Sequence, residues 1–131
     1  MKAQILTPVG PVFDGDVEGI QMPGMNGGFE VRNDHASLVS LLDTGKLVVK
    51  TADNAKKYYA ISGGFVEVSD NNIIVMAEEA LEPDQINIKE QEKKKEEVER
   101  ELKEHKVYTD EHKRYTRELR NIKNRIKLAR S

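Results

Sequence analysis

Glycine and proline stop at residue 83. All nine glycines and all four prolines of the 131-residue chain lie at or before Pro83, and 84–131 has none. Both residues interrupt regular helix and both concentrate in turns and bent strands. The step therefore divides the chain into a turn-rich unit, 1–83, and a unit free to run as uninterrupted helix, 84–131. Charge changes at the same place. Six Lys/Arg stand against twelve Asp/Glu up to Pro83 and fifteen against eleven after it, so −6 and +4 make the net −2 of the whole.

Several classes are excluded early. With no cysteine there is neither a disulfide framework nor a thiolate zinc site. No apolar run approaches the roughly 20 residues of a membrane-spanning helix. Met1-Lys2-Ala3-Gln4 reads as the start of a strand rather than of a signal peptide, and the expectation is a soluble or peripheral chain.

The first unit is punctuated at short intervals by Pro8-Val9-Gly10-Pro11, Asp14-Gly15-Asp16, Pro23-Gly24, Gly27-Gly28, Thr44-Gly45, Ala52-Asp53-Asn54 and Ser62-Gly63-Gly64. Between these sit about nine short strand-like runs, which predict an antiparallel β-sandwich. One hairpin is legible in detail. Phe65 to Val68 and Ile73 to Met76 are strand-forming runs around Ser69-Asp70-Asn71-Asn72, whose short polar side chains suit a turn. Gly63-Gly64 ahead of it predicts close backbone approach or positive φ. Ile73, Ile74, Val75 and Met76 do not alternate with polar residues, which predicts cover on both faces: the domain's other layer on one, a following helix or a partner on the other.

Three features invite chemistry, and each has a plainer reading. The loop 23–28, Pro-Gly-Met-Asn-Gly-Gly, lacks the Lys-Ser/Thr and the helix that a phosphate loop needs, so it reads as a turn. His35, between Asp34 and Ala36 with Ser37 nearby, suggests a hydrolase, but neighbours one or two residues apart seldom meet side by side as a triad must, and a loop-fixing or interface role fits better. Glu78, Glu79, Glu82 and Asp84 lack the spacing of a calcium loop and read as an acidic edge.

Together the pieces resemble a family. MPGMNGGFEVRNDHASLVSLLDTGKLVV at 22–49, followed by SGGFVEVSDNNIIVMAEEA at 62–80, is similar to the ε subunit of F-type rotary ATP synthases over the first eighty or so residues. The chain departs from the usual pattern at Glu30, where the family has Gly, and at Asn33 and Ser37, where it has Pro. The resemblance implies a non-catalytic central-stalk (rotor) subunit that joins the shaft to the membrane ion-translocating ring and restrains ATP hydrolysis. It implies a shaft (gamma) contact around His35, Ala36 and Leu38, and a ring contact at Gly24, Met25, Asn26, Gly27 and Gly28. It also implies a peripheral position on the cytoplasmic face of a bacterial plasma membrane, or the stromal equivalent in a chloroplast. In family members that bind ATP, the first helix begins with a motif like Ile/Leu-Asp-x-x-Arg-Ala. Here Ile86-Asn87-Ile88-Lys89-Glu90-Gln91 stands instead, with Glu90 in place of the arginine, so no nucleotide, metal or other cofactor is expected.

The second unit predicts a helical hairpin. Pro83-Asp84 suits a helix start, and helix is expected to about Glu104, supported by the i,i+4 pairs Glu90/Lys94, Glu96/Arg100 and Glu99/Lys103. Its seam, Ile88, Gln91, Lys95, Val98, Leu102 and His105, is only half apolar. After the breaker-free link 105–110, the second helix carries a seam of Tyr108, Tyr115, Leu119, Ile122, Ile126 and Ala129 at coiled-coil-like spacing. That helix has eight basic residues, Lys113, Arg114, Arg117, Arg120, Lys123, Arg125, Lys127 and Arg130, against Asp110, Glu111 and Glu118, a net of +5. By itself this fits a solvated face or an RNA-binding helix, although aromatic stacking residues are few. His105 and His112 have no third ligand and do not read as a metal site. The family resemblance implies instead that Arg114, Arg117, Arg120, Lys123, Leu119, Ile122 and Ile126 meet the catalytic head when the helices extend. The alternatives from other classes are a free-standing sandwich and coiled-coil adaptor, and a nucleic-acid-binding protein.

Overall fold

A computed structural model describes the whole chain, Met1–Ser131. Seven strands, β1 (Lys2–Thr7), β2 (Gly10–Gly24), β3 (Gly27–Arg32), β4 (Leu38–Thr51), β5 (Lys56–Ser69), β6 (Asn72–Ala77) and β7 (Ala80–Leu81), lead through a 3-10 turn at Pro83–Gln85. Helices α1 (Ile88–Glu104) and α2 (Asp110–Arg130) follow. The strands end at Leu81 and the helices begin at Ile88.

The sandwich is built from fewer, longer strands than the glycine spacing predicts. β2, β4 and β5 run for 15, 14 and 14 residues, and Gly15, Gly45 and Gly63-Gly64 lie inside them. These glycines mark bends and close approaches, not chain reversals. A Cβ on Gly45 would lie 2.6 Å from the Cβ of Pro23, and one on Gly64 would lie 2.1 Å from the Met76 carbonyl oxygen. Gly63 and Gly64 also hold φ of +107° and +150°, conformations that a side chain makes costly.

Strands β1, β6, β5, β4 and β2 pair in a closed ring, with β3 beside β2 and β7 beside β5. A ring of five cannot alternate direction all the way round. One pair must be parallel, and it is β1 with β6, so the wholly antiparallel sandwich of the sequence reading is corrected there. Inside the ring, Ala3, Ile5, Ile20, Val31, Leu47, Val49, Tyr59, Ile61, Val66, Ile73 and Val75 form one apolar core. The Tyr59 hydroxyl is buried in it without a hydrogen-bond partner. Burial, and then the charge of Glu82, push its pKa up to about 12, so the phenol stays neutral.

The β5–β6 hairpin forms as read, with Ser69 opposite Asn72 and Asp70 and Asn71 both at positive φ in the turn. Of the two covers expected for the outer face of β6, the following helix is not found there. Ile73 and Val75 are fully buried, Ile74 is half-buried and Met76 is 44% exposed, because the helices pack elsewhere.

The helical hairpin folds back on itself. Asn87 caps α1, accepting from the Glu90 amide at 3.1 Å, while Asp84 falls in the preceding 3-10 turn rather than at the cap. Thr109 caps α2 through the His112 amide at 3.2 Å. The predicted seams meet: Val98, Ile122 and Ile126 are buried against Leu102, Tyr115 and Leu119. Gln91 is buried there too, with its side-chain oxygen accepting from Arg125 at 3.3 Å. Of the three charge pairs expected along α1, Glu90–Lys94 closes, at 3.3 Å. Tyr108 does not join the seam; it precedes the cap of α2 and is 77% exposed.

Gly64→Ala combines strained backbone with a clash against a main-chain carbonyl that cannot rotate away. It should destabilise the sandwich by about 3 kcal/mol or more, read as a lower urea midpoint with unchanged slope.

Candidate functional site: an open sheet face and a docked helix

Two surfaces of the sandwich are built for contact. The first is the outward face of the ring of strands. Across it Leu41, Phe65, Met76 and Leu6 stand directly opposite one another on β4, β5, β6 and β1. The next row is Val39, Glu67, Ile74 and Gln4. Val39 and Leu41 are 75% and 65% exposed, with Phe65 and Met76 beside them at 40% and 44%. A contiguous apolar row left open on a sheet marks an interaction surface. Leu38, named with His35 and Ala36 in the expected shaft contact, points inward by period-two alternation, half-buried against the core in line with Val68 and Ile73. Val39 and Leu41 are the outward residues, and Leu38 supports them from behind.

His35 and Ala36 lie exposed in the loop that leads into β4. The His35 Nδ1–H donates to the Ala36 carbonyl at 2.7 Å, which ties the ring to its own loop. The Asp34 amide donates to Asn71 Oδ1 at 3.0 Å, fastening this loop to the β5–β6 turn. The glycine turn, 24–28, closes the β2–β3 hairpin with Gly24 opposite Gly27, and Met25 at its tip is 55% exposed. Glu30 has a local explanation. Its carboxylate accepts from Lys50 at 3.0 Å and from Arg32 at 3.1 Å, passing over Gly19 on the strand between them. These two bonds hold its pKa below the usual carboxylate range and fasten edge strand β3 to β4.

The second surface carries the hairpin. Asn124 Nδ2 donates to the Gly45 carbonyl at 2.9 Å, and the Thr44 hydroxyl donates to Asn121 at 2.6 Å. Arg117 forks onto both oxygens of Glu78 at 3.0 and 3.2 Å, Arg120 reaches Asp43 at 3.0 Å and Arg125 reaches Glu79 at 2.6 Å. The apolar part of the contact is small: Ala60, Ile86 and Leu128, with Leu81 and Ala129 at the margin. The acidic edge is therefore a receiving strip for α2. Sequence reasoning missed this because the partners lie 39 and 46 residues apart; matched charge of opposite sign on the two sides of residue 83 was its only trace. Among the residues expected to meet a catalytic head, Arg117 and Arg120 are held by the sandwich. Arg114 lies over the Tyr115 ring at 4.9 Å, Lys123 is exposed, and Leu119, Ile122 and Ile126 face α1.

Fold and surfaces together define a β-sandwich subunit with an open apolar sheet face and a docked helical hairpin. The family model for the β-sandwich domain of the ATP synthase delta/epsilon chain matches residues 1–83. The ATP synthase epsilon chain of Salinibacter ruber is 38% identical over 112 residues, 79% of this chain and 75% of that one. The epsilon chain of Sulfurovum is 42% identical over 81 residues, 62% of this chain and 63% of that one. Among solved structures, a chain of the Euglena gracilis mitochondrial ATP synthase, determined with OSCP, F1 and c-ring, has the same fold, with a TM-score of 0.78 and 20% identity over 93% of this chain and 76% of that one. This chain belongs to the ATP synthase epsilon-chain family, whose members are non-catalytic. No helix in it is long and apolar enough to cross a membrane.

Two outcomes follow. The hydrogen bond from Arg120 holds the Asp43 carboxyl below its ordinary value of 3.8, against the opposing effect of burial and with help from the Thr44 amide. A depressed carboxylate stabilises the docked state above its unfolded value and ceases to as pH falls through the folded one. Acidification below about pH 4 should therefore lower the hydrogen-exchange protection factors of α2, and Asp43→Asn should reduce that pH dependence while costing under about 1 kcal/mol at neutral pH. ATP should bind weakly or not at all, because Glu90 opposes phosphate charge and Asn87 is occupied as a cap; micromolar affinity by calorimetric titration of the purified chain would contradict this.

Proposed function

We propose that this chain is the central-stalk subunit that couples the shaft to the membrane ring of an F-type ATP synthase and restrains ATP hydrolysis through its hairpin. The open apolar patch of Val39, Leu41, Phe65 and Met76 carries the reading. A chain that leaves such a patch exposed beside a tied loop is complete only when another subunit covers it. The shaft (gamma) subunit is the occupant we assign, meeting His35, Ala36 and this patch, with Leu38 beneath. The turn of Gly24, Met25, Asn26, Gly27 and Gly28 projects from the far end of β2–β3 as a compact tip and meets the ring. The chain sits peripherally, on the cytoplasmic side of a bacterial membrane.

The hairpin's regulatory role is supported by how it is held. Its internal seam is apolar, but its contact with the sandwich is largely polar and half-exposed. Undocking therefore exposes little apolar surface, and charge pairs at the surface weaken as salt rises, over a screening length of about 10 Å at 0.1 M. Arg117 and Arg120 would exchange Glu78 and Asp43 for acidic groups on the catalytic head, joined there by Arg114 and Lys123. Opening the seam would release Leu119, Ile122 and Ile126 to pack on the head.

Reconstitution tests the two halves separately. Leu41→Asp and Phe65→Asp, each in the full chain, should weaken assembly with the shaft subunit by at least about tenfold, the effect of losing roughly 1.4 kcal/mol or more at an interface centre. Removing 84–131, or changing Arg114 and Lys123 together to alanine, should leave assembly intact and raise ATP hydrolysis of the complex. The Arg114/Lys123 pair is the cleaner test, since neither residue holds the docked state. Unchanged hydrolysis in both variants at low and moderate salt would leave the hairpin without the regulatory role.

A further inference from the structure

The glycine turn carries chemistry that a contact role does not use. Asn26 precedes Gly27 at the tip of the β2–β3 hairpin, and both residues are exposed. Gly27 holds φ of +118°, and a Cβ placed on it would meet no atom within 4 Å, so the residue that follows Asn26 carries no side chain and none crowds its Cα. Other asparagine side chains are engaged: Asn71 and Asn87 accept from the backbone amides of Asp34 and Glu90, and Asn121 and Asn124 hold α2 to the sandwich. Asn33 and Asn54 are each followed by a residue that bears a Cβ. Asn26 alone combines exposure with a following glycine.

We propose that Asn26–Gly27 is a site of spontaneous covalent modification that marks chains not assembled into the complex. The Gly27 backbone nitrogen attacks the Asn26 side-chain carbonyl carbon. A bond forms between Gly27 N and Asn26 Cγ, the bond from Cγ to the side-chain nitrogen breaks, and that nitrogen departs as ammonia with the Gly27 amide proton. Water then opens the five-membered imide at either carbonyl, leaving aspartate or isoaspartate. Only water is consumed, and nothing is oxidised or reduced. Both products place a new negative charge at the tip, and isoaspartate also adds a methylene to the main chain beside the Gly24–Gly27 pair. The marking role rests on the ring contact proposed above, since a turn held against the ring is kept from the water and the motion that the reaction needs.

The test incubates the purified full chain, and in parallel the assembled membrane complex, in mildly alkaline buffer at physiological temperature, followed by peptide mapping by mass spectrometry. In the free chain the expected result is conversion at Asn26 several-fold faster than at any other asparagine, with an acidic shift of one charge on isoelectric focusing. Asn26→Gln should lose that shift, because glutamine would have to close a larger ring. The assembled complex should show conversion reduced several-fold. An unmodified Asn26 in the free chain, or conversion spread evenly over the asparagines, would overturn the site itself. Equal conversion in free chain and complex would leave the chemistry standing and overturn the marking role, whereas loss of the ring contact itself would be read separately, as unchanged assembly with Met25→Asp.

Discussion

The backbone of Gly64 lies so close to the carbonyl of Met76 that no side chain could stand between them, and much of the molecule follows from that approach. It lets β5 pass Gly63 and Gly64 at positive φ without losing register, pairing with β6 on one side of them and with β7 on the other. The two residues between β6 and β7 stay in step with β5, the Glu78 amide donating to the Gly63 carbonyl and the Ser62 amide to the Glu79 carbonyl. Those bonds present Glu78 and Glu79 to the arginines of α2. A steric constraint inside one strand thus sets where the hairpin docks.

The hairpin is held together and held down by different forces. Burial of Val98, Ile122 and Ile126 between the helices is of the kind that costs about 2 to 5 kcal/mol per large side chain to remove. The docking contact relies mainly on hydrogen bonds and half-exposed ion pairs, each worth about 1 kcal/mol or less. The hairpin is therefore the more durable unit and its attachment the more adjustable one.

What the sequence made legible follows from how local the determinants are. The β5–β6 turn rests on Asp70 and Asn71 alone, and the helix seam on residues three and four apart, so Gln91, Val98, Ile122 and Ile126 could be placed before any fold was known. Strand lengths could not, because a glycine inside a bent strand and a glycine between two strands look alike until their neighbours in space are known; Gly45 against Pro23 is the case in point. The orientation of Leu38 depends on the register that β4 finds with β5. The receiving role of Glu78 and Glu79 depends on a helix that starts some thirty residues later.

The parallel pair of β1 and β6 sets the order in which the molecule can be finished. β1 is the first strand made, yet the edge it offers to β6 stays open until Asn72–Ala77 has been added, so the ring cannot close on a growing chain before most of the sandwich has been synthesised. Contacts that span so much sequence are slow to form, and a strand edge left open meanwhile is a template for unwanted pairing. Lys2, placed opposite Asn72 at the mouth of that edge and exposed, supplies the charge that protects such edges. The helices, made after the strands, have a finished surface to settle on, so the adjustable part of the molecule arrives once its seat is complete.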